Sequence, residues 1–307
     1  MKRESIKFEV ADIRSYIIQE LVKNQRLLFN ELDLQMFVAK ALEQVFKIDD
    51  GYIVHLEYRL PKGWSPRFDK AYQPWGETPY FDIVIEDKLH AHFIGIELKY
   101  KLKQIDLPKF TDIQRFGCCP PNNDDQPITL VTNQAAENEG RYDFWKDVKR
   151  LELLGQCFEN VVGGIAIFVT NQQNYKRSDE TNSHHKYSCF NLTENEEKKN
   201  FLYWIYDKVE RPASCHIQCG CGEEQCLEIA CGERLKRKPE KYNELKDGKW
   251  GSKLCHFVRP NFSLNHNYRG IWSTDSMKIC TGTREKPKIE EFWLTCKVPC
   301  LSYPKIL

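Results

Sequence analysis

The chain has 307 residues, of which 41% are hydrophobic, 12% aromatic and 29% charged, which is the composition of a folded globular protein and not of a disordered one. Against 44 Asp and Glu stand 45 Lys and Arg, a formal net charge of +1; this excludes binding to nucleic acid or membrane through bulk positive charge and leaves such binding to local patches. The 13 cysteines are the unusual feature, and they admit three readings: disulfides of a secreted protein, zinc ligands, or scattered reduced thiols.

The N-terminal stretch has a basic start but no apolar signal-peptide core and no small-residue cleavage site, so a reducing, cytoplasmic location is expected. The longest apolar run, Val161 to Val169, falls far short of the roughly 18 residues that a membrane span needs, so no membrane association is expected.

In chain order, Ile13, Tyr16, Ile17, Ile18 and Leu21 fall at helical spacing and predict a first helix over 12–24. Asn30 caps a second, running to Phe46, with Leu34, Val38, Ala41, Leu42 and Val45 on one stripe. After a turn at Asp49-Asp50-Gly51, Tyr52 to Leu60 reads as a strand that Pro61 ends. Residues 61–79 read as an aromatic, Pro-rich loop. Tyr80 to Glu86 and His92 to Tyr100 predict a hairpin around the polar turn Asp87 to His90. A long loop with Cys118 and Cys119 precedes a short strand, Ile128 to Val131. Tyr142 to Phe158 predicts a helix with Phe144, Val148, Leu151 and Phe158 on one face, and Val161 to Thr170 a strand buried on both faces.

These elements predict a mixed α/β fold, a central sheet flanked by helices. From Asn171 to about Leu254 the chain turns polar, basic and Cys-rich, with one helical piece near Glu194 to Val209; Phe257 to Leu264 and Glu291 to Val298 read as strands. The expected organisation is a core over 1–175, a polar, basic, Cys-rich insertion or subdomain over 176–255, and C-terminal strands over 256–307 that return to the core sheet.

The first motif with chemistry is Glu97-Leu98-Lys99. E-x-K alone means nothing, since it recurs at Glu86, Glu196, Glu197 and Glu244. The copy at Glu97 differs because it lies in a strand, where Glu97 and Lys99 share one face and Ile94, Ile96, Leu98 and Tyr100 the other. The neighbouring strand places Phe81, Ile83 and Ile85 on its apolar face and Asp82 opposite, so Asp82, Glu97 and Lys99 are expected on one surface. At ~100° per residue, Glu31 falls within about 40° of the inward stripe of the second helix, whereas Glu43 faces out. Converging carboxylates suit Mg²⁺, which takes hard oxygen ligands and keeps waters for phosphate substrates. A lysine beside them can hold the attacking water and balance phosphate charge.

The order Glu31, Asp82, Glu97-Leu98-Lys99 on helix, strand and strand resembles the PD-(D/E)xK nuclease superfamily, whose restriction-endonuclease-like core is αβββαβ. Arg141-Tyr142-Asp143-Phe144 opening a helix before the strand Val161 to Thr170 is similar to the αβ half of that core, and the likeness covers residues 27–175. It implies a metal-dependent nuclease that hydrolyses phosphodiester bonds, DNA ahead of RNA, in restriction, phage defence or repair. It implies Asp82, Glu97 and the main-chain carbonyl of Leu98 as ligands of Mg²⁺ or Mn²⁺, Lys99 as the group assisting water, and Glu31 as an additional helix acid. One departure is that Phe81, not proline, precedes Asp82, with Pro79 displaced by two. Symmetric duplex cutting would imply a homodimer.

Five cysteines, Cys215, Cys219, Cys221, Cys226 and Cys231, crowd into one short stretch with Gly220 and Gly222 between them. Such spacers let thiolates wrap a structural Zn²⁺, but no clean pair of C-x₂-C units is present, and reduced thiols are the competing account. Between Arg234 and Lys253 lie eight Lys and Arg against three acids, with Tyr242 and Trp250 interleaved: a candidate phosphate-backbone contact or a solvated basic loop. Arg141, Lys149 and Arg150 form a weaker basic candidate. The competing functional class is a non-catalytic nucleic-acid-binding or scaffold protein that uses the Cys-rich insertion on a nuclease-like core.

Overall fold

The computed structural model describes residues 6–23, 28–61, 63–75, 79–107, 128–132, 137–175, 190–193, 262–269 and short strand segments between 197 and 302. The cysteines from Cys215 to Cys231 and the basic stretch Arg234 to Lys253 lie outside them.

The helices are α1 (Val10–Lys23), α2 (Glu31–Glu43), α3 (Pro66–Tyr72) and α4 (Glu137–Cys157); the main strands are β1 (Tyr52–Arg59), β2 (Tyr80–Asp87), β3 (His92–Lys101) and β6 (Val161–Thr170), with β4 (Ile105–Leu107) and β5 (Ile128–Val131) as a separate pair. The architecture is mixed α/β. In the sheet, β1–β2 and β2–β3 are antiparallel and β3–β6 parallel, the last joined through α4 as a crossover connection requires. Leu294–Lys297 and Leu301–Ser302 both pair antiparallel with β6, and Ile271–Ser273 adds beyond Leu294–Lys297.

Both faces of the sheet are covered. Ile13, Ile17, Leu34, Val38 and Leu42 from α1 and α2 pack on Ile83, Ile85, Ile94, Ile96, Leu98 and Ile167. On the opposite face, α3 and α4 bring Phe68, Tyr72, Phe144, Val148, Leu151 and Leu154 onto Phe81, Val84 and Phe168. Two glycines paired across β3 and β6, Gly95 and Gly164, seat α4. A Cβ at Gly95 would stand 2.9 Å from Leu151 Cδ2, and one at Gly164 would stand 3.0 Å from Leu151 Cβ. The missing side chains let the helix lie close to the strands.

Several sequence expectations need correction. Residues 61–79 are not only loop: Ser65 accepts from the Phe68 N–H at 3.1 Å and caps α3, with Pro66 in its first turn. Helix α4 begins five residues before Tyr142. In place of the helical piece expected near Glu194 to Val209, the described residues there, Glu197–Lys198, Phe201–Leu202, Ile205–Tyr206 and Val209–Glu210, are short antiparallel strands. Phe81 does not share a face with Ile83 and Ile85 but packs on the α4 side. The reason is local, because the β1–β2 ladder skips the Glu57/Asp82 position, where Glu57 adopts a left-handed backbone with φ 49°. That break in alternation turns Asp82 edge-on, toward β3.

Candidate active site

The site forms where β2 leaves β3. Their ladder runs from Asp87↔His92 to Ile83↔Ile96 and stops, while β2 continues along β1 to Tyr80. Beyond that point, the amides of β3 that face β2 have no strand partner, and an unpaired buried N–H is costly. Two carboxylates replace the missing strand: Asp82 Oδ2 accepts from the Leu98 N–H at 2.6 Å, and Glu31 Oε2 accepts from the Tyr100 N–H at 3.0 Å. Glu31 stands there because Asn30, accepting from the Asp33 N–H at 2.8 Å, fixes the start of α2. One turn on, Gln35 donates Nε2 to the Asp82 carbonyl at 2.6 Å and to Glu57 Oε1 at 2.8 Å, satisfying the backbone at the irregularity.

On the α4 face of β3, Glu97 is 1% exposed. Both its oxygens are held by Arg150, which donates Nε to Oε1 at 2.7 Å and a terminal nitrogen to Oε2 at 2.6 Å. The same terminal nitrogen reaches Asp147 Oδ1 at 3.0 Å. Lys99 links the two sides, with Nζ 3.0 Å from Glu31 Oε1 and 3.6 Å from Asp147 Oδ2.

Thus Glu31, Asp82, Glu97 and Lys99 stand in one place, and the structure adds Asp147, Arg150 and Gln35, which sequence reasoning did not assign to it. The signal was present. By the arithmetic used for Glu31, Asp147 lies about 40° from Leu151 and Arg150 about 40° from Leu154 at ~100° per residue, on the buried stripe of α4.

Four carboxylates face two cations, an excess of two negative charges when all are ionised. Burial, and then the Asp147 charge, push Asp82 up to about 7 against the help of the Leu98 N–H and Lys99. Burial likewise pushes Glu97 well above the usual range; the Arg150 guanidinium opposes it, and the charges of Asp82 and Asp147 add to it. Burial alone would lower Lys99, but Asp147, then Glu31 and Asp82, outweigh it and hold the ammonium above its ordinary value. The carboxylates around Lys99 thus favour its ammonium form.

A scan against protein-family models and searches of curated proteins and solved structures find no match to this chain.

Among the described residues no three His, Cys, Asp or Glu side chains converge as a metal-holding group. Mg²⁺ asks for less, one or two carboxylates with water and phosphate oxygens completing the shell. The donor set fits such an ion at one point in particular: Asp82 Oδ1 accepts no hydrogen bond among the described residues, its partner oxygen being taken by Leu98. Among those residues no helix is long and apolar enough to cross a membrane.

Proposed function

We propose that this chain is a divalent-metal-dependent nuclease with a restriction-endonuclease-like core, acting on phosphodiester bonds, DNA foremost. The observation that carries this reading is the excess of carboxylate over cation at the gap between β2 and β3. Packing like charges together against burial raises the free energy of the protein alone, and a bound dication would cancel the excess of two. Asp82 Oδ1, Glu97 and the carbonyl of Leu98 would hold Mg²⁺ or Mn²⁺, which supplies Lewis-acid polarisation of a phosphate oxygen and a more acidic water.

The residues of the chain supply the rest. Lys99, kept protonated by Asp147, Glu31 and Asp82, donates to the attacking water or to a non-bridging phosphate oxygen and cannot accept a proton from either. Glu31 orients Lys99 through the 3.0 Å contact and holds the Tyr100 amide. Gln35 fixes the Asp82 main chain, so the carboxylate reaches β3 in one orientation.

One observation favours the competing reading of a non-catalytic nucleic-acid-binding scaffold: both oxygens of Glu97 are already held by Arg150. Incubation of plasmid and single-stranded DNA with the protein and Mg²⁺ or Mn²⁺ separates the two. Cleavage that falls at least about 10²-fold in both Asp82→Ala and Lys99→Ala is the expected result. Cleavage that survives both substitutions removes the assignment, and salt-sensitive binding without cleavage favours the scaffold.

A further inference from the structure

Arg150 is engaged by three residues of the site. Its guanidinium lies 5.6 Å from the centroid of the Phe81 ring, its Nε and one terminal nitrogen take both oxygens of Glu97, and that terminal nitrogen also reaches Asp147. A fork on a carboxylate uses the same in-plane lone pairs that a hard cation would use. While the fork stands, Glu97 cannot chelate a metal through both oxygens and keeps only its outer lone pairs for one.

We propose that Arg150 is a resident cation that positions Glu97 in the metal-free protein and competes with the divalent metal for it, Asp147 being the acceptor that keeps the guanidinium when Glu97 is released. The inference rests on the metal-dependent reading given above. Two features support it. Asp147 already shares the terminal nitrogen at 3.0 Å, and its other oxygen is only loosely engaged, 3.6 Å from Lys99. It therefore has room for the guanidinium without forming a new site. Phe81, on the α4 side of the sheet, lies with its ring under the guanidinium carbon at 5.6 Å and so offers a contact that does not depend on which carboxylate the nitrogens hold.

The test is Mn²⁺ binding to the full chain, read from the electron paramagnetic resonance signal of free Mn²⁺, in the wild type, Arg150→Lys, Arg150→Gln and Asp82→Asn. An ammonium cannot hold both oxygens in a fork, and glutamine carries no charge. Competition predicts binding several-fold tighter in Arg150→Lys and at least about tenfold tighter in Arg150→Gln. Loss of the charge alone also tightens binding in Arg150→Gln, so Arg150→Lys, which keeps the charge, isolates the fork: a purely structural Arg150 would leave its affinity unchanged or weaken it as Glu97 loosens. Circular dichroism checks the fold; if Arg150→Gln does not fold, the lysine variant decides. Binding that Asp82→Asn abolishes but that Arg150→Lys leaves unchanged or weakens overturns the competition alone. Absence of binding in every protein, or binding indifferent to Asp82→Asn, overturns the metal-site reading and the competition with it.

Discussion

Glu97 and Glu152 are both buried acids, and each is met by a basic residue of α4, yet their surroundings differ in kind. Glu152, 0% exposed, accepts from the Asn265 amide at 2.9 and 3.0 Å, the His266 amide at 3.3 Å, the Tyr268 hydroxyl at 2.7 Å and Lys149 Nζ at 3.3 Å. One cation balances one anion, and neutral donors fill the remaining lone pairs, so the C-terminal segment 262–269 is clasped to α4. Glu97 has one cation, shared with Asp147, and lies within the field of Asp82. The clasp is saturated with donors that serve only the fold. The site sets more carboxylates than cations against burial, an arrangement that costs stability when all are ionised and that the proposed metal would relieve.

Four substitutions or conditions sharpen that contrast. The largest effect is expected at the clasp: Glu152→Ala leaves Lys149 without its anion and two amides without an acceptor, and chemical denaturation should show a loss of about 3–5 kcal/mol with or without Mg²⁺. The site should behave in the opposite way. Because the Asp82 pKa in the folded protein, about 7, is above its ordinary 3.8, the folded state binds more protons than the unfolded state in that window. The contribution of Asp82 is therefore fully present below about pH 4 and lost as pH rises through 7, a decline of roughly 2–4 kcal/mol in chelator. Asp82→Asn should remove the Asp82 share of that slope, leaving what Glu97 contributes, and stabilise the protein at pH 8. A thermal melt series across pH in both proteins checks the sign, and a slope unchanged in the variant would refute it.

The third comparison concerns the seat of α4. Gly164→Ala places a methyl against Leu151 and should cost about 1–3 kcal/mol by denaturation, with cleavage reduced further because Arg150 and Asp147 move with the helix. The smallest effect is at the far edge: Asn30→Ala removes the cap of α2 for about 1 kcal/mol, and, since Glu31 hangs from the first turn, Lys99-dependent activity should fall more than stability does.

Strong local signals made much of this legible in the sequence. The Asn30 cap, the alternation of β3 and the unbroken apolar run of β6 each name their element without tertiary information. Helix α3 was missed because aromatic and proline content outweighed its own start signal, Ser65 before Pro66. The 194–209 segment was misread because apolar spacing in short pieces does not distinguish a helical turn from a two-residue strand. At the site, Asp82 was placed correctly on β2, but its edge-on orientation was not legible. It follows from the left-handed backbone of Glu57, a non-glycine residue that carries no such signature. The fork between Arg150 and Glu97 joins residues 53 apart in sequence, and no local pattern encodes that pairing.

The two amides of β3 that carboxylates hold in place of a strand have a spectroscopic consequence. Hydrogens bonded within a sheet exchange only when the sheet opens, but those of Leu98 and Tyr100 need only a side chain to turn aside. Their exchange rates should therefore follow the occupancy of Asp82 and Glu31 independently of global unfolding. They form a pair of built-in reporters, one on each carboxylate, readable by nuclear magnetic resonance of the isotope-labelled protein.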